Sequence, residues 1–195
     1  PYYLPAEQAG LRGFYEAVAD RSPIPVVLYN IPQRTGVTLG VETTVALAEH
    51  ENVVGVKDSS GGMAHVFRLI EETPDDFSVI QGLSMLALPS LDAEGAGLIS
   101  GAANVFPAAL SALYEAHHAG EHERSVAIAN EVANPLVTAY SDLPTAPALK
   151  HLLELAGHDV GPPVLPLSEL DADARRALAD RYERVHERAE AQSLV

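Results

Sequence analysis

Apolar runs alternating with helix-length stretches constrain this chain more than any other feature of it. The runs are Pro25 to Tyr29, Val53 to Lys57, Phe77 to Ile80 and Gly95 to Ser100. Between and after them, apolar residues recur at helical spacing in Val41 to Glu49, Met63 to Glu72, Leu86 to Glu94 and Phe106 to Ala119. A further helix, Ala6 to Asp20, precedes the first run, with Leu11, Phe14, Tyr15 and Val18 on one face and Pro23 and Pro25 past its end. Pro1, Tyr2 and Tyr3 read as the tail of a strand. Strand and helix joined by short connections give an α/β fold with a parallel sheet and right-handed crossovers. The run Val53 to Val56 does not alternate with polar residues, so it reads as a strand buried on both faces. Beyond Ala119 the pattern becomes helical throughout: Glu121 to Tyr140, Ala148 to Ala156, and Asp171 to Ala191 with Asp171 as its cap. Two domains are expected, residues 1–119 and a helical extension, residues 120–195.

The charge balance narrows the function. With 27 acidic against 12 basic side chains and a net charge of −15, the chain lacks the basic face that nucleic acid requires. Its longest uncharged stretch, Gly95 to Leu113, is broken by Asn104, Pro107 and several glycines, so no membrane span is expected. No secretory signal is visible, and a cytoplasmic location is the expectation. The absence of cysteine excludes disulfides and thiolate chemistry.

The candidate site lies in ENVVGVKDSSGG, residues 51 to 62. Only Lys57 and Lys150 are lysines, and Lys57 stands where an apolar strand ends. Ligands of parallel α/β folds bind outside the carboxyl ends of the strands. Parallel neighbours would bring Tyr3, Tyr29, Lys57 and the Gly82 and Ile99 backbone to one rim. A lysine beside a tyrosine hydroxyl, walled by valines and glycines, suits imine chemistry, in which a desolvated amine attacks a carbonyl and the hydroxyl moves protons. His118 and His122 are four apart but lack a third ligand, and read as a solvated helix face rather than a metal site. The glycines of Asp58 to Gly62 and of GAGLISGAAN match neither a phosphate loop nor a dinucleotide fingerprint, and no nucleophilic serine elbow is present.

YNIPQRTG at Tyr29 to Gly36, VVGVKDSSGG and GLISGAANVFP together resemble the dihydrodipicolinate synthase and N-acetylneuraminate lyase family of pyruvate-dependent aldolases. The resemblance runs along essentially the whole chain. It implies a TIM (β/α)8 barrel of which the last four strand and helix units are present, followed by a C-terminal helical extension. It further implies a class I lyase that needs no cofactor and no metal, acts on a 2-oxo acid and an aldehyde, and assembles as a homo-oligomer, usually a dimer of dimers. Lys57 matches the Schiff-base lysine and Tyr29 the proton-relay tyrosine. Tyr3 resembles a relay residue that reaches across a dimer interface; its alternative is a plain terminal aromatic. Arg34 falls where the synthase branch binds a substrate carboxylate, with Glu42 as an alternative surface partner. Ile99 matches a position whose backbone approaches pyruvate. Gly82 and Asn104 match in motif without an assigned role.

The family's first three strand and helix units, its fourth strand and a threonine-bearing carboxylate loop have no counterpart in the sequence, and a full barrel takes about 250 residues. Arg34 favours dihydrodipicolinate synthase activity in lysine biosynthesis, on pyruvate and aspartate semialdehyde. Leu83 and Ser84, in QGLSMLALPSL, favour a 2-keto-3-deoxy sugar-acid aldolase. A third expectation, of a different kind, is a non-catalytic remnant that folds only beside a partner.

Overall fold

The computed structural model describes residues 4–195, so Tyr3 lies outside the described residues. The chain divides into two compact units, Pro1–Ile99 and Ser100–Val195. The expected boundary after residue 119 falls inside the second of them.

The first unit is α/β. Helix α1 (Gln8–Arg21) ends ahead of Pro23, and strand β1 (Val26–Asn30) follows Pro25. A short helix, α2 (Pro32–Thr35), follows β1, with Pro32 in its first turn and Gly36 closing it at a φ of 75°. Then come α3 (Val41–Ala48), β2 (Val53–Asp58), α4 (Met63–Glu72), β3 (Ser78–Gln81), α5 (Ala87–Asp92) and β4 (Gly97–Leu98). The four strands are parallel in the order β1-β2-β3-β4. Strand β4 is shorter than the GAGLIS run suggested, although the ladder continues one step further through Ile99 N donating to Gln81 O at 3.0 Å.

Register arranges this sheet in rows. Leu28, Val56 and Val79 are aligned and buried. With Leu11 of α1, Leu47 of α3 and Val66 and Leu69 of α4 they form the core, each fully buried leucine contributing about 2 kcal/mol. The next row, Tyr29, Lys57 and Ile80, points to the opposite face and is only partly covered. The sequence suggested that β2 is buried on both faces, yet Val54 is 37% exposed and Lys57 half-buried. The helices cover only the face that carries Leu28, Val56 and Val79; Val27 and Tyr29 on the other face are likewise exposed, and the register skip between Val26 and Val27 leaves Val54 without a partner on β1. Gly55 answers a different need, since a Cβ there would stand 2.6 Å from the Ser78 carbonyl oxygen and push β3 off β2.

The second unit is helical: α6 (Pro107–His118), α7 (His122–Ile128), α8 (Asn134–Tyr140), α9 (Thr145–Leu155) and α10 (Ala172–Ala191). The single helix expected over Glu121 to Tyr140 is interrupted by a π turn at Ala129–Ala133 between α7 and α8. Pro135 accounts for it, because a proline has no N–H for the carbonyl four residues back, Glu131, and its ring crowds that group. Asp171 caps α10 as expected, its Oδ1 accepting from Ala174 N at 2.8 Å. Phe106 stacks on Tyr182 with ring centroids 5.7 Å apart. Lys150 is fixed by donating to Val160 O at 2.8 Å. Among the described residues no helix is long and apolar enough to cross a membrane.

Ion pairs on this unit set an acid limit. Hydrogen bonds from Arg181 hold the Asp142 carboxyl below its ordinary value of 3.8, and His151, then Arg175, do the same for Glu154 below 4.5. Groups depressed in the folded state stabilise fully above the unfolded value and lose that contribution as pH falls through the folded one. Melting temperature should therefore hold above roughly pH 5 and drop below it. Arg181→Ala should show a smaller acid-induced drop than the parent when both are melted across that range.

Candidate active site

The carboxyl ends of β1, β2 and β3 place Tyr29 directly beside Lys57, with Ile80 next in the row and Gly97 beyond it. Lys57 Nζ lies over the Tyr29 ring, 4.4 Å from its centroid. That is a cation–π distance, and it puts the amine against the ring face. Tyr29 is 44% exposed, so both groups can be reached from the open side of the sheet.

One residue further on, the side chains turn back toward the helices, and here the row is polar: Asn30 (2% exposed), Asp58 (0%) and Gln81 (1%). Asp58 Oδ2 accepts from Asn30 Nδ2 at 2.6 Å, and its Oδ1 from Ser60 N at 2.9 Å and Ser60 Oγ at 2.6 Å. Asn30 Oδ1 in turn accepts from Leu39 N at 3.0 Å, and Gln81 Oε1 from Leu83 N at 2.9 Å. His65 Nε2 stands 3.6 Å from Asp58 Oδ2. These bonds knit the ends of β1, β2 and β3 to the loops that follow them. Burying Asn30, Asp58 and Gln81 costs little only because each is hydrogen-bonded, whereas His65 Nε2 is buried without a hydrogen-bond partner.

Backbone bonds complete the rim. Ser59 N donates to Asn30 O at 2.8 Å, and Gly82 N to Asp58 O at 2.7 Å. Gly82 sits where no side chain fits: a Cβ would collide with Ser59 Oγ and meet Asp58 O at 2.9 Å and Lys57 Cε at 3.1 Å. Ile99, at the end of β4, joins the same rim through its bond to Gln81.

Arg34 lies on α2, exposed and without an ion pair among the described residues. Its neighbour Gln33 donates to Ser59 O at 3.1 Å and Ser60 O at 2.8 Å, which fixes α2 to the loop after Lys57. Glu42, the alternative partner, is held by Arg68 at 2.9 Å. Asn104 donates to Gly101 O at 3.0 Å within its own turn. His118 and His122 fall on different helices, α6 and α7, and His118 Nδ1 lies 3.0 Å from Tyr114 O. Among the described residues no three His, Asp or Glu side chains are grouped to hold a metal.

The Asn30, Asp58 and Gln81 row was not anticipated from the sequence. Its signal was present: in YN, KD and IQ a polar residue follows directly on the last strand residue of the open face.

A model of the dihydrodipicolinate synthetase family matches residues 1–184. The chain belongs to this family. A 4-hydroxy-tetrahydrodipicolinate synthase of Methanoculleus marisnigri is 42% identical over 172 residues, 88% of this chain and 58% of that relative. The crystal structure of a dihydrodipicolinate synthase from Bacillus anthracis superposes with a TM-score of 0.90 at 32% identity, over 94% of this chain and 62% of that one. The 4-hydroxy-tetrahydrodipicolinate synthase of Methylacidiphilum fumariolicum gives 0.91 at 31%, over 98% and 64%. The chain thus spans about three fifths of the length of the dihydrodipicolinate synthetase family members it matches.

Proposed function

We propose that Lys57 forms a Schiff base with pyruvate and that the four strands are part of a (β/α)8 barrel. The observation that carries this reading is Lys57 Nζ lying 4.4 Å over the ring of its register partner Tyr29, at the carboxyl rim of the sheet. In the proposed reaction the neutral amine attacks the ketone carbon of pyruvate and water leaves to give an imine. Loss of a methyl proton yields an enamine whose carbon attacks an aldehyde, and water releases the product and the lysine. The Tyr29 hydroxyl carries the protons, Arg34 takes the aldehyde partner's carboxylate by a two-pronged contact, and the Ile99 backbone lies beside the pyruvate. Tyr3 serves across the interface of a homo-oligomer.

The synthase reaction, pyruvate with aspartate semialdehyde, is favoured by Arg34 and by the name the relatives carry. Reductive trapping tests the core of the proposal: incubation with pyruvate and borohydride, then intact mass and peptide mapping. One adduct on Lys57, absent from Lys57→Ala, is the expected result. An adduct on Lys150, or none in a sample that melts cooperatively, would overturn it and favour the non-catalytic remnant. Faster turnover of glyceraldehyde than of aspartate semialdehyde would assign the sugar-acid aldolase instead.

A further inference from the structure

The sheet of the α/β unit has three unpartnered surfaces. Its open face carries Val27 and Tyr29 of β1, Lys57 of β2, Ile80 of β3 and, past the end of β4, Ile99, and of these Val27, Tyr29 and Ile99 are exposed. Among the described residues no strand pairs with the outer edge of β1 or of β4. We propose that a second copy of the chain covers all three, β1 of each copy pairing in parallel with β4 of the other to close an eight-stranded barrel.

Parallel sheets are stable almost only with both faces covered, and open edges invite pairing. Natural edges are blunted by charge or proline, but β1 (VVLYN) and β4 (GL) hold neither. Electrostatics favours the same face. The chain carries a net charge of −15, yet none of its 27 acidic side chains lies on the open face of the strands. Like charge elsewhere keeps copies apart, so they meet here at least cost.

Symmetry makes a second copy the occupant. Each copy offers one β1 edge and one β4 edge, and a two-fold axis along the barrel pairs both at once. Four strands from each give the number at which interior side chains just fill a barrel. Bulky Val27, Tyr29 and Ile80 share the open face with Gly55, Ser78 and Gly97, which leaves room for side chains from across the barrel. Register follows as well. Such barrels close with a shear of about eight residues, so about four fall to each copy. The row Tyr29, Lys57, Ile80, Gly97 begins near the end of β1 and reaches the start of β4, so the shift runs toward the strand beginnings. One step further, about four residues before Tyr29, it meets Pro25 of the partner subunit, and Ile99 comes to lie beside Val27 of the partner subunit.

The pairing rests on the barrel reading proposed above, and its test is the mass of the 195-residue chain in solution, by sedimentation and light scattering. A dimer is expected. Val27→Asp would place an unpaired charge in the interior and should weaken dimerisation roughly a hundredfold or more. Phe67→Asp, at an exposed position of α4 on the helix side of the sheet, should leave it unchanged. The chain has no cysteine, so Val27→Cys combined with Ile99→Cys reads the geometry directly, even should Val27→Asp fail to fold. Mild oxidation should give a covalent dimer of the double variant and of neither single one. A monomer, which would hand the open face to a different polypeptide, would overturn the proposal. So would an open-ended oligomer, or a dimer that the double variant does not bridge. A bridge in Val27→Cys alone would also overturn it, since the open faces would then be stacked on each other. Pyruvate trapping on Lys57 is read separately, so a monomer that still traps pyruvate refutes the pairing and leaves the Lys57 chemistry standing.

Discussion

Asp58→Ala is expected to lower stability by about 3 kcal/mol, which for a domain of this size is a fall in melting temperature of roughly 6–12 °C. The carboxyl group is fully buried and takes three donors, from Asn30 Nδ2, Ser60 N and Ser60 Oγ. Truncation leaves Asn30 Nδ2, Ser60 N and Ser60 Oγ without their acceptor, and opens a void between the ends of β1 and β2. Asp58→Asn separates these two effects. It fills the same volume but turns an N–H toward donors on one side, so it should lose less than alanine while remaining clearly destabilised. Thermal melts of the three proteins are the measurement, and an alanine variant that melts within about 1 °C of the parent would show that the row is not a support. Lys57 precedes Asp58 on β2, so pyruvate trapping should slow in parallel.

Gly82→Ala should do comparable damage by the opposite means, adding a group where space is already used. The new methyl would lie 2.9 Å from the Asp58 carbonyl oxygen, the atom that Gly82 N itself binds. Ser59 Oγ can rotate away; the backbone oxygen cannot, so β3 must part from β2. Overpacking of this kind costs about 2 kcal/mol, or roughly 4–8 °C. The methyl also reaches to 3.1 Å from Lys57 Cε. Because a displacement of about 1 Å of a reacting group can cost up to two orders of magnitude in rate, trapping of pyruvate should slow at least tenfold. A variant that lost stability yet trapped pyruvate at the parent rate would confine Gly82 to a packing role.

Apolar period made the elements legible in the sequence. Val66 and Leu69 are buried on a helix whose ends, Met63 and Glu72, the pattern had marked, and the Lys57 strand lay where the valines put it. What periodicity cannot carry is register, since pairing of Tyr29 with Lys57 depends on a bulge at Val54 that no local preference announces. Helix continuity failed for a nameable cause, Pro135, whose effect is felt four residues upstream. Gly82 was visible as part of a motif, but its reason, a carbonyl oxygen and a lysine side chain arriving from β2, exists only once the strands are side by side. The polar row was hidden because Asn30, Asp58 and Gln81 are far apart in sequence and look, singly, like solvent-facing strand ends.

Lysine scarcity has a practical side. Lys150 is tied to a backbone carbonyl, and Lys57 rests against an exposed aromatic ring. Of two side-chain amines in 195 residues, one is anchored and one is answerable to its surroundings. Acylating reagents applied to this protein therefore read a single nitrogen against an internal standard. The ratio of label on the two lysines becomes a gauge of whatever alters the rim, with no tag, dye or engineered residue required.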